Sequence, residues 1–253
     1  MTDVMPVLEV RGLEKHFGGV VAARDINVTV GAGEQIAIVG SNGAGKTTFV
    51  NMVTGYLKPS GGTIRFRGQD VTGLDPRQTA RAGIRRSFQI AQVFPAMTVL
   101  ENMLTADMAG DTGRGAFWKP SLSDARIERA RAGLAHFGLA GEEGRIAGTL
   151  PQGVRKQLDI AMASVGRPEL MLLDEPTSGV SVDEKMAMMD RVIHPLRDIG
   201  ATIMFIEHDI DIVRSYARRV IAFYEGTILA DGPVETVLAE PKVREYVIGD
   251  RHA

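Results

Sequence analysis

A glycine-rich segment near the start of the chain has the composition of a loop that binds phosphate groups. Residues 40–47 read Gly-Ser-Asn-Gly-Ala-Gly-Lys-Thr and match the pattern G-x-x-x-x-G-K-[ST] at every fixed position. In such a loop the glycines let backbone N–H groups turn inward around the phosphates, while Lys46 supplies a positive charge and the Thr47 hydroxyl coordinates Mg²⁺. The sequence therefore predicts that ATP and Mg²⁺ bind here, with the nucleotide held by Gly40, Ser41, Asn42, Gly43, Ala44, Gly45, Lys46, Thr47 and Thr48.

Two adjacent acids, Asp174 and Glu175, follow an apolar segment at 170–173. The apolar segment is typical of a buried strand, so both carboxylates stand at a strand end. In an ATP site Asp174 is placed to hold the Mg²⁺ shell through water, and Glu175 to polarise an attacking water as a general base. A strand that merely ends in solvated carboxylates is an equally good interpretation of this segment alone, and the phosphate loop upstream favours catalysis.

The hydrophobic pattern predicts the strands and helices that position these groups. An apolar strand at 35–39 leads into the glycine-rich loop, and a helix at 47–54 follows it with its positive end toward the phosphates. The other predicted strands span 7–11, 25–30, 170–173, 201–206, 220–224 and 226–231, with a hairpin at 61–70. The other predicted helices span 76–83, 124–137, 152–164, 182–199 and 210–217, with one more starting at 233 and with Pro195 as a kink or early end.

These elements predict an α/β fold of the P-loop NTPase type in a single domain over residues 1–253. The core, over 1–90 and 150–253, is expected to be mostly parallel, with an N-terminal antiparallel β-subdomain. Residues from about 91 to 149 are predicted to form an inserted α-helical subdomain, in which a loop at 110–121 interrupts the helical spacing.

The composition limits the other functions that the chain can have. The formal net charge is −2 and there are no cysteines, so no basic field favours nucleic acid and no thiolate is available for a disulfide or a metal. The basic residues Arg77, Arg81, Arg85 and Arg86 are predicted to form a solvated helix face rather than a nucleic-acid patch. No segment approaches the ~20 apolar residues that span a bilayer, and the first residues lack the features of a secretory signal. We therefore expect a soluble protein that reaches a membrane only through a partner.

With these motifs in place, nearly the whole chain resembles the ATPase subunits of ABC transporters. Besides the phosphate loop, the resemblance rests on Ser87-Phe88-Gln89, Asp174-Glu175-Pro176-Thr177-Ser178-Gly179 and Ile206-Glu207-His208-Asp209. It implies that Phe17 stacks on adenine, that Gln89 senses Mg²⁺ and contacts a transmembrane partner, and that His208 contacts the γ-phosphate. A lone phenylalanine is usually core and a lone histidine usually solvated, but their order along the chain favours the family roles. The implied catalytic residues are Glu175, His208, Gln89 and Lys46, and the implied metal ligands are Thr47, Gln89 and Asp174.

The signature loop, which contacts the partner's ATP in that family, departs here from the usual sequence. The family loop reads Leu-Ser-Gly-Gly-Gln, whereas this chain has Leu150-Pro151-Gln152-Gly153-Val154. The serine hydroxyl is missing, Pro151 lacks an N–H donor, and Ser181 stands where an aspartate usually ends the loop after Glu175. Because these ATPases dimerise head to tail, we hypothesise a heterodimer with two unequal ATP sites. The alternative is that the N–H groups of Gly153 and the helix N-terminus suffice, and that both sites are active.

Within the family, the chain is most similar to ATPases of importers for branched-chain amino acids and for related amides or urea. This similarity implies two permeases, a second ATPase subunit and, indirectly, a substrate-binding protein, with the chain on the cytoplasmic face of the inner or plasma membrane. The apolar segment 89–97 is the candidate docking groove for a permease. An exporter ATPase of the lipopolysaccharide type and a soluble ABC ATPase are the alternatives, while Gln89, Glu175 and His208 together argue against a bare P-loop kinase or GTPase. The similarity to the importers rests on residues 16–22, 86–89, 93–94, 97–102 and 231–233 and on the length of the insert at 110–120.

Overall fold

The computed structural model describes residues 5–110 and 123–249, and the strands of this part form two β-sheets. The strands are β1 (Leu8–Phe17), β2 (Val20–Val30), β3 (Gln35–Gly40), β4 (Gly61–Phe66), β5 (Gln69–Asp70), β6 (Ile84–Arg86), β7 (Leu170–Asp174), β8 (Thr202–Ile206), β9 (Arg219–Tyr224) and β10 (Thr227–Pro233). One sheet, of order β2-β1-β4-β5, is antiparallel. The other, of order β10-β9-β3-β8-β7-β6, is parallel except where β10 pairs with β9.

Helices surround the larger sheet and fill the segment between β6 and β7. They are α1 (Lys46–Val53), α2 (Pro76–Ala82), α3 (Val99–Gly110), α4 (Asp124–His136), α5 (Gln152–Ala163), α6 (Val182–Asp198), α7 (Ile210–Tyr216), α8 (Val234–Ala239) and α9 (Pro241–Val243), followed by a π turn at Arg244–Ile248. Asp75 and Ser123 cap α2 and α4, because the first turn of a helix leaves N–H donors unsatisfied. Over the residues described, no helix combines the length and the apolar content that crossing a bilayer requires.

The larger sheet separates two clusters of buried apolar side chains. Alternate residues of β3 point to opposite faces, so that Ile36 and Ile38 join one cluster while Ala37 and Val39 join the other. The first cluster also contains residues of the antiparallel sheet and α1, and the second contains residues of α3 to α8. All residues of β3, β7 and β8 are buried, as the nearly continuous apolar sequence of these strands predicts.

The predicted fold class is confirmed, since a mostly parallel α/β sheet stands beside an antiparallel N-terminal sheet and a helical segment follows β6. The first two strands are longer than predicted, because most of their added residues are exposed or half-buried and lack the apolar alternation used to find them. Pro195 does not end α6, which continues to Asp198 because apolar residues such as Val192 and Leu196 keep one helix face buried. The boundaries of the helical subdomain stay a prediction, and the loop predicted at 110–121 lies outside the described residues after its first position.

The basic residues at 77–86 do not lie on a single solvated helix face. Gly83, with a left-handed backbone, ends α2, and the short strand β6, which the sequence analysis missed, follows at once. Within β6, Arg85 is half-buried, and the Arg86 side chain is buried and forms an ion pair with Asp174. The prediction of a solvated helix face is therefore wrong for Arg85 and Arg86.

Helix α5 connects the helical segment to the edge of the larger sheet. Its buried Asp159 carboxylate accepts the backbone N–H groups of Phe88 (3.4 Å) and Gln92 (3.0 Å), in the loop that follows β6. Burial raises the pKa of Asp159 to about 6, against the effect of these two hydrogen bonds and of Lys156. An acid whose pKa is higher in the folded than in the unfolded chain destabilises the fold when it is ionised.

Replacing Asp159 with asparagine is expected to change how stability depends on pH. Because the pKa is raised from 3.8 to about 6, the wild-type fold gains stability as the pH falls from 7 to 4, and the D159N fold lacks this gain. The difference between the two free energies of unfolding should shift by about 2 kcal/mol in favour of the wild type over this range. Urea unfolding of both proteins across the range measures the shift, and parallel pH profiles would contradict it.

Candidate active site

The glycine-rich segment connects β3 to α1 at the carboxyl end of the larger sheet. Gly43 and Gly45 have φ angles of 80° and 100°, which side chains of L-residues rarely adopt. A Cβ atom on Gly40 would lie 2.6 Å from the carbonyl oxygen of Phe223, and one on Gly45 would lie 2.9 Å from that of Ala22. The loop therefore fits between neighbouring strands only without these side chains. Helix α1 has no side-chain cap, so its first N–H groups are left as donors that can bind an anion.

The Lys46 side chain folds back over this loop. Its ammonium group donates hydrogen bonds to the carbonyl oxygens of Gly40 (2.7 Å) and Ser41 (3.0 Å). Burial lowers the pKa of Lys46, and the carboxylates of Glu175 and Asp174 oppose this effect. The positive charge thus lies between the loop and two acids, where it can exchange carbonyl oxygens for phosphate oxygens.

Glu175 lies where three distant parts of the chain meet. The Gln89 amide donates a hydrogen bond to one of its carboxylate oxygens at 2.9 Å, and Nε2 of His208 lies 3.0 Å from the other. The Glu175 backbone has a φ of 47° and its N–H donates to the carbonyl of Ile206, which fixes the turn that leaves β7. Both oxygens of a general-base candidate are therefore held in place by side chains that the sequence analysis also selected.

The order of the strands explains why these residues meet. β6, β7 and β8 are parallel neighbours, so the residues that follow these strands all lie at one edge of the sheet, the carboxyl end of its parallel strands. Gln89 follows β6, Glu175 follows β7 and His208 follows β8. Because β3 pairs with β8, the phosphate loop lies at the same edge.

Asp174 is engaged by a partner that the sequence analysis did not assign to the site. Its carboxylate accepts a hydrogen bond from Arg86 at 2.7 Å, and the guanidinium group also donates to Asn51 and lies 4.5 Å from the centre of the Phe88 ring. Burial raises the pKa of Asp174, and Arg86 lowers it. The only sequence signal for this pair was the position of Arg86 immediately before Ser87-Phe88-Gln89.

The buried acid Glu207 anchors the turn that follows Glu175. One of its carboxylate oxygens accepts the backbone N–H of Thr177 at 3.0 Å and the hydroxyl of the same residue at 2.7 Å. The other accepts the backbone N–H of His208 at 3.3 Å. Glu207 therefore joins the two loops that carry Glu175 and His208, a role that the sequence analysis missed.

Phe17 and the signature loop lie apart from this cluster of contacts. Phe17 ends β1 with its side chain 50% exposed, and the ammonium of Lys15 lies 5.0 Å from the ring centre. Pro151 precedes α5, and the exposed Gln152 amide donates a hydrogen bond of 3.4 Å to the carbonyl of Ser178. Among the described residues, no hydrogen bond joins residues 150–154 to the phosphate loop. The adenine role of Phe17 and the ATP role of the signature loop stay predictions.

The oxygen donors at this edge fit a magnesium ion that is shared with phosphate. Thr47 offers a hydroxyl, Gln89 an amide and Asp174 a carboxylate, all of them hard ligands. In the part of the chain that the structure describes, no group of three or more His, Asp or Glu residues could enclose a metal. Mg²⁺ is usually held by one or two carboxylates together with substrate phosphates, so the donor set agrees with a metal that arrives with a nucleotide.

Comparison with known proteins gives the family of the chain. A family model described as ABC transporter matches residues 23–178. The high-affinity branched-chain amino acid transport ATP-binding protein LivG of Escherichia coli K12 is 38% identical over 252 residues, which cover 97% of this chain and 98% of that protein. The corresponding protein BraF of Pseudomonas aeruginosa is 34% identical over 251 residues, with 97% and 98% covered.

Solved structures agree with these relatives. A nucleotide-free ATP-binding cassette from an ABC transporter has a TM-score of 0.83 at 31% identity and covers 95% of this chain, with 98% of that chain covered. An ATP-binding cassette in its ADP conformation has a TM-score of 0.82 at 32% identity, with the same coverage. The chain therefore belongs to the ABC transporter family and is one of its nucleotide-binding, ATP-hydrolysing cassettes.

Proposed function

We propose that this cassette energises a membrane importer of branched-chain amino acids or of related small polar solutes. The observation that carries the ATPase part is the meeting of Gln89, Glu175 and His208 beside the phosphate loop. The solute class rests on the similarity to LivG and BraF, whose names describe branched-chain amino acid transport. In this proposal the cassette does not bind the solute, because it acts on the solute through permeases.

Hydrolysis is assigned to the residues at the sheet edge. Residues 40–48 bind the phosphates, and the Lys46 ammonium moves from the carbonyls of Gly40 and Ser41 to phosphate oxygens. Thr47, Gln89 and Asp174 hold Mg²⁺, which neutralises charge on the phosphates when it is bound.

A water molecule attacks the γ-phosphorus and gives its proton to Glu175, whose carboxylate is oriented by Gln89 and His208. The bond between the γ-phosphorus and the bridging oxygen of the β-phosphate breaks, and ADP leaves with that oxygen. His208 also contacts the γ-phosphate, and Phe17 stacks on the adenine ring. These four roles follow the family resemblance, and the contacts of the Glu175 carboxylate support the roles of Glu175, Gln89 and His208.

The assembly in this proposal is a head-to-tail dimer with a second ATPase subunit, bound to two permeases on the cytoplasmic face of the membrane. A substrate-binding protein delivers the solute to the permeases and does not touch this chain. The signature loop 150–154 of this chain lies against the ATP of the partner subunit. Since Pro151 offers neither a hydroxyl nor an N–H, that site closes less tightly than the site built on Glu175.

Replacing Glu175 with glutamine in the reconstituted transporter is expected to lower the ATPase rate by about 10²-fold or more, because the general base is lost. ATP binding, measured by equilibrium dialysis, should persist, since glutamine keeps the shape of the side chain. The matched control is the same change at the equivalent glutamate of the second ATPase subunit, for which we expect a smaller loss. Nearly full ATPase activity in the E175Q complex would contradict the unequal-site proposal.

A permease is proposed to dock on the apolar surface at 89–97. Ile90, the most exposed apolar residue there, is 77% exposed, and Phe94 and Met97 extend the same surface. This surface includes Gln89, so a docked permease would lie beside the side chain that contacts Glu175.

Replacing Ile90 with aspartate should lower the amount of solute transported per ATP hydrolysed, because a charge would oppose burial of this surface. ATP binding should be unchanged. Replacing Met5, which is 64% exposed and lies outside the groove, with aspartate is the control and should leave coupling intact. Transport and ATPase activity measured on the same proteoliposomes test the prediction. A loss of ATP binding in I90D that is as large as its loss of coupling would show that Ile90 belongs to the core.

A further inference from the structure

A buried lysine of α5 bridges the two backbone segments that carry Gln89 and Glu175. The Lys156 ammonium donates hydrogen bonds to the carbonyl oxygen of Gln89 at 2.6 Å and to that of Asp174 at 3.1 Å. The second carbonyl belongs to the peptide unit that joins Asp174 to Glu175. One ammonium group therefore sets the spacing of two backbones whose side chains meet 2.9 Å apart, between the amide of Gln89 and the carboxylate of Glu175.

A second side chain of α5 holds the same loop from both sides of Gln89. Asp159 accepts the N–H of Phe88, one residue before it, and the N–H of Gln92, three residues after it. Asp159 follows Lys156 by three positions, so both side chains leave the same face of the helix. The loop backbone is thus fixed at three points by one helix.

Packing alone does not require a lysine at this position. Lys156 is 1% exposed, and burial lowers its pKa against the opposing effects of Asp159, Asp174 and Glu175. An unbranched apolar side chain would fill the space without the cost of burying an ammonium group. What the lysine adds is the pair of hydrogen bonds to the Gln89 and Asp174 carbonyls.

The same helix begins at the signature loop. Gln152 opens α5, and Lys156 lies four residues further on, or about 6 Å along the axis. The first turn of α5 therefore connects residues 150–154 rigidly to Lys156. A displacement of these residues would move Lys156 and, with it, the carbonyl of Gln89.

We propose that Lys156 is a positioning residue for ATP hydrolysis, with Asp159 as its second anchor. It holds the Gln89 amide against the Glu175 carboxylate and transmits the position of the signature loop to this pair. Closure of the signature loop on the partner's ATP thereby adjusts the general base of the chain's own site. The inference rests on the proposed function, in which Glu175 is the general base and Gln89 orients it.

A double-mutant cycle in the reconstituted transporter tests this proposal. If Lys156 acts through Gln89, K156M lowers kcat by about tenfold or more in the wild type, with little change in KM for ATP. In a Q89A background the same change lowers kcat by less than about twofold, because the amide that Lys156 positions is already gone. K156R, which keeps a cationic donor, should recover most of the kcat that K156M loses. K242M, the same substitution at an exposed site of α9, should leave kcat unchanged.

Three results would overturn the proposal. Equal losses from K156M in both backgrounds would mean that Lys156 acts independently of Gln89, and a loss confined to KM would assign it to nucleotide binding. If the K156M complex does not assemble, D159N replaces K156M in the cycle, and an equal loss of kcat in both backgrounds again overturns the proposal.

The wild-type complex separates failure of this inference from failure of the proposed function. A wild-type complex that hydrolyses no ATP would contradict both. An active wild-type complex in which the effects of the two substitutions are additive would contradict the inference alone.

Discussion

Parallel pairing of β6, β7 and β8 is the constraint on which the site depends. Their register places Arg86 opposite Leu172 and Asp174 opposite Ile206. The three strands therefore end within a few residues of one another at the carboxyl end of the sheet. A slip of one residue between β7 and β8 would move every side chain of a strand to the opposite face. Since both faces are filled with apolar side chains, packing fixes the register, and the register fixes the position of Glu175.

Several charged side chains at the carboxyl end of the larger sheet are buried, and they lie beside groups of opposite charge. Asp174 is paired with Arg86, and the charge of Lys156 lies among acids. Such groups are costly to bury, and removing one partner typically costs about 3–5 kcal/mol, because the other charge is left unpaired. Lys46 differs from Arg86, since its hydrogen bonds are to neutral carbonyl oxygens of the phosphate loop. Phosphate oxygens can therefore replace these carbonyls without breaking a hydrogen bond to a carboxylate.

The sequence was sufficient to predict the fold class, but not the contacts among the residues selected for chemistry. The glycine-rich loop is specific because backbone conformation, charge and Mg²⁺ chemistry all constrain its residues. The resemblance to a family supplied roles for Gln89 and His208, which are too common as single residues to be identified alone. Strand β6 was missed because three residues, two of them arginine, carry no apolar pattern. Lys156 was missed because a lysine in an amphipathic helix normally marks the solvated face.

The sequence of the signature loop is the basis for proposing two unequal ATP sites in the dimer. Its one polar side chain, that of the exposed Gln152, donates a hydrogen bond of 3.4 Å to the carbonyl of Ser178 in the same chain. Pro151 provides no cap for α5, so the first N–H groups of that helix remain as donors for a phosphate. The loop therefore keeps its backbone contribution and lacks the serine hydroxyl. One hydrogen bond to a charged group contributes about 1.5–3 kcal/mol, or roughly 10- to 100-fold in the closure equilibrium. In the proposed dimer this loss would weaken the partner's site without abolishing nucleotide binding there.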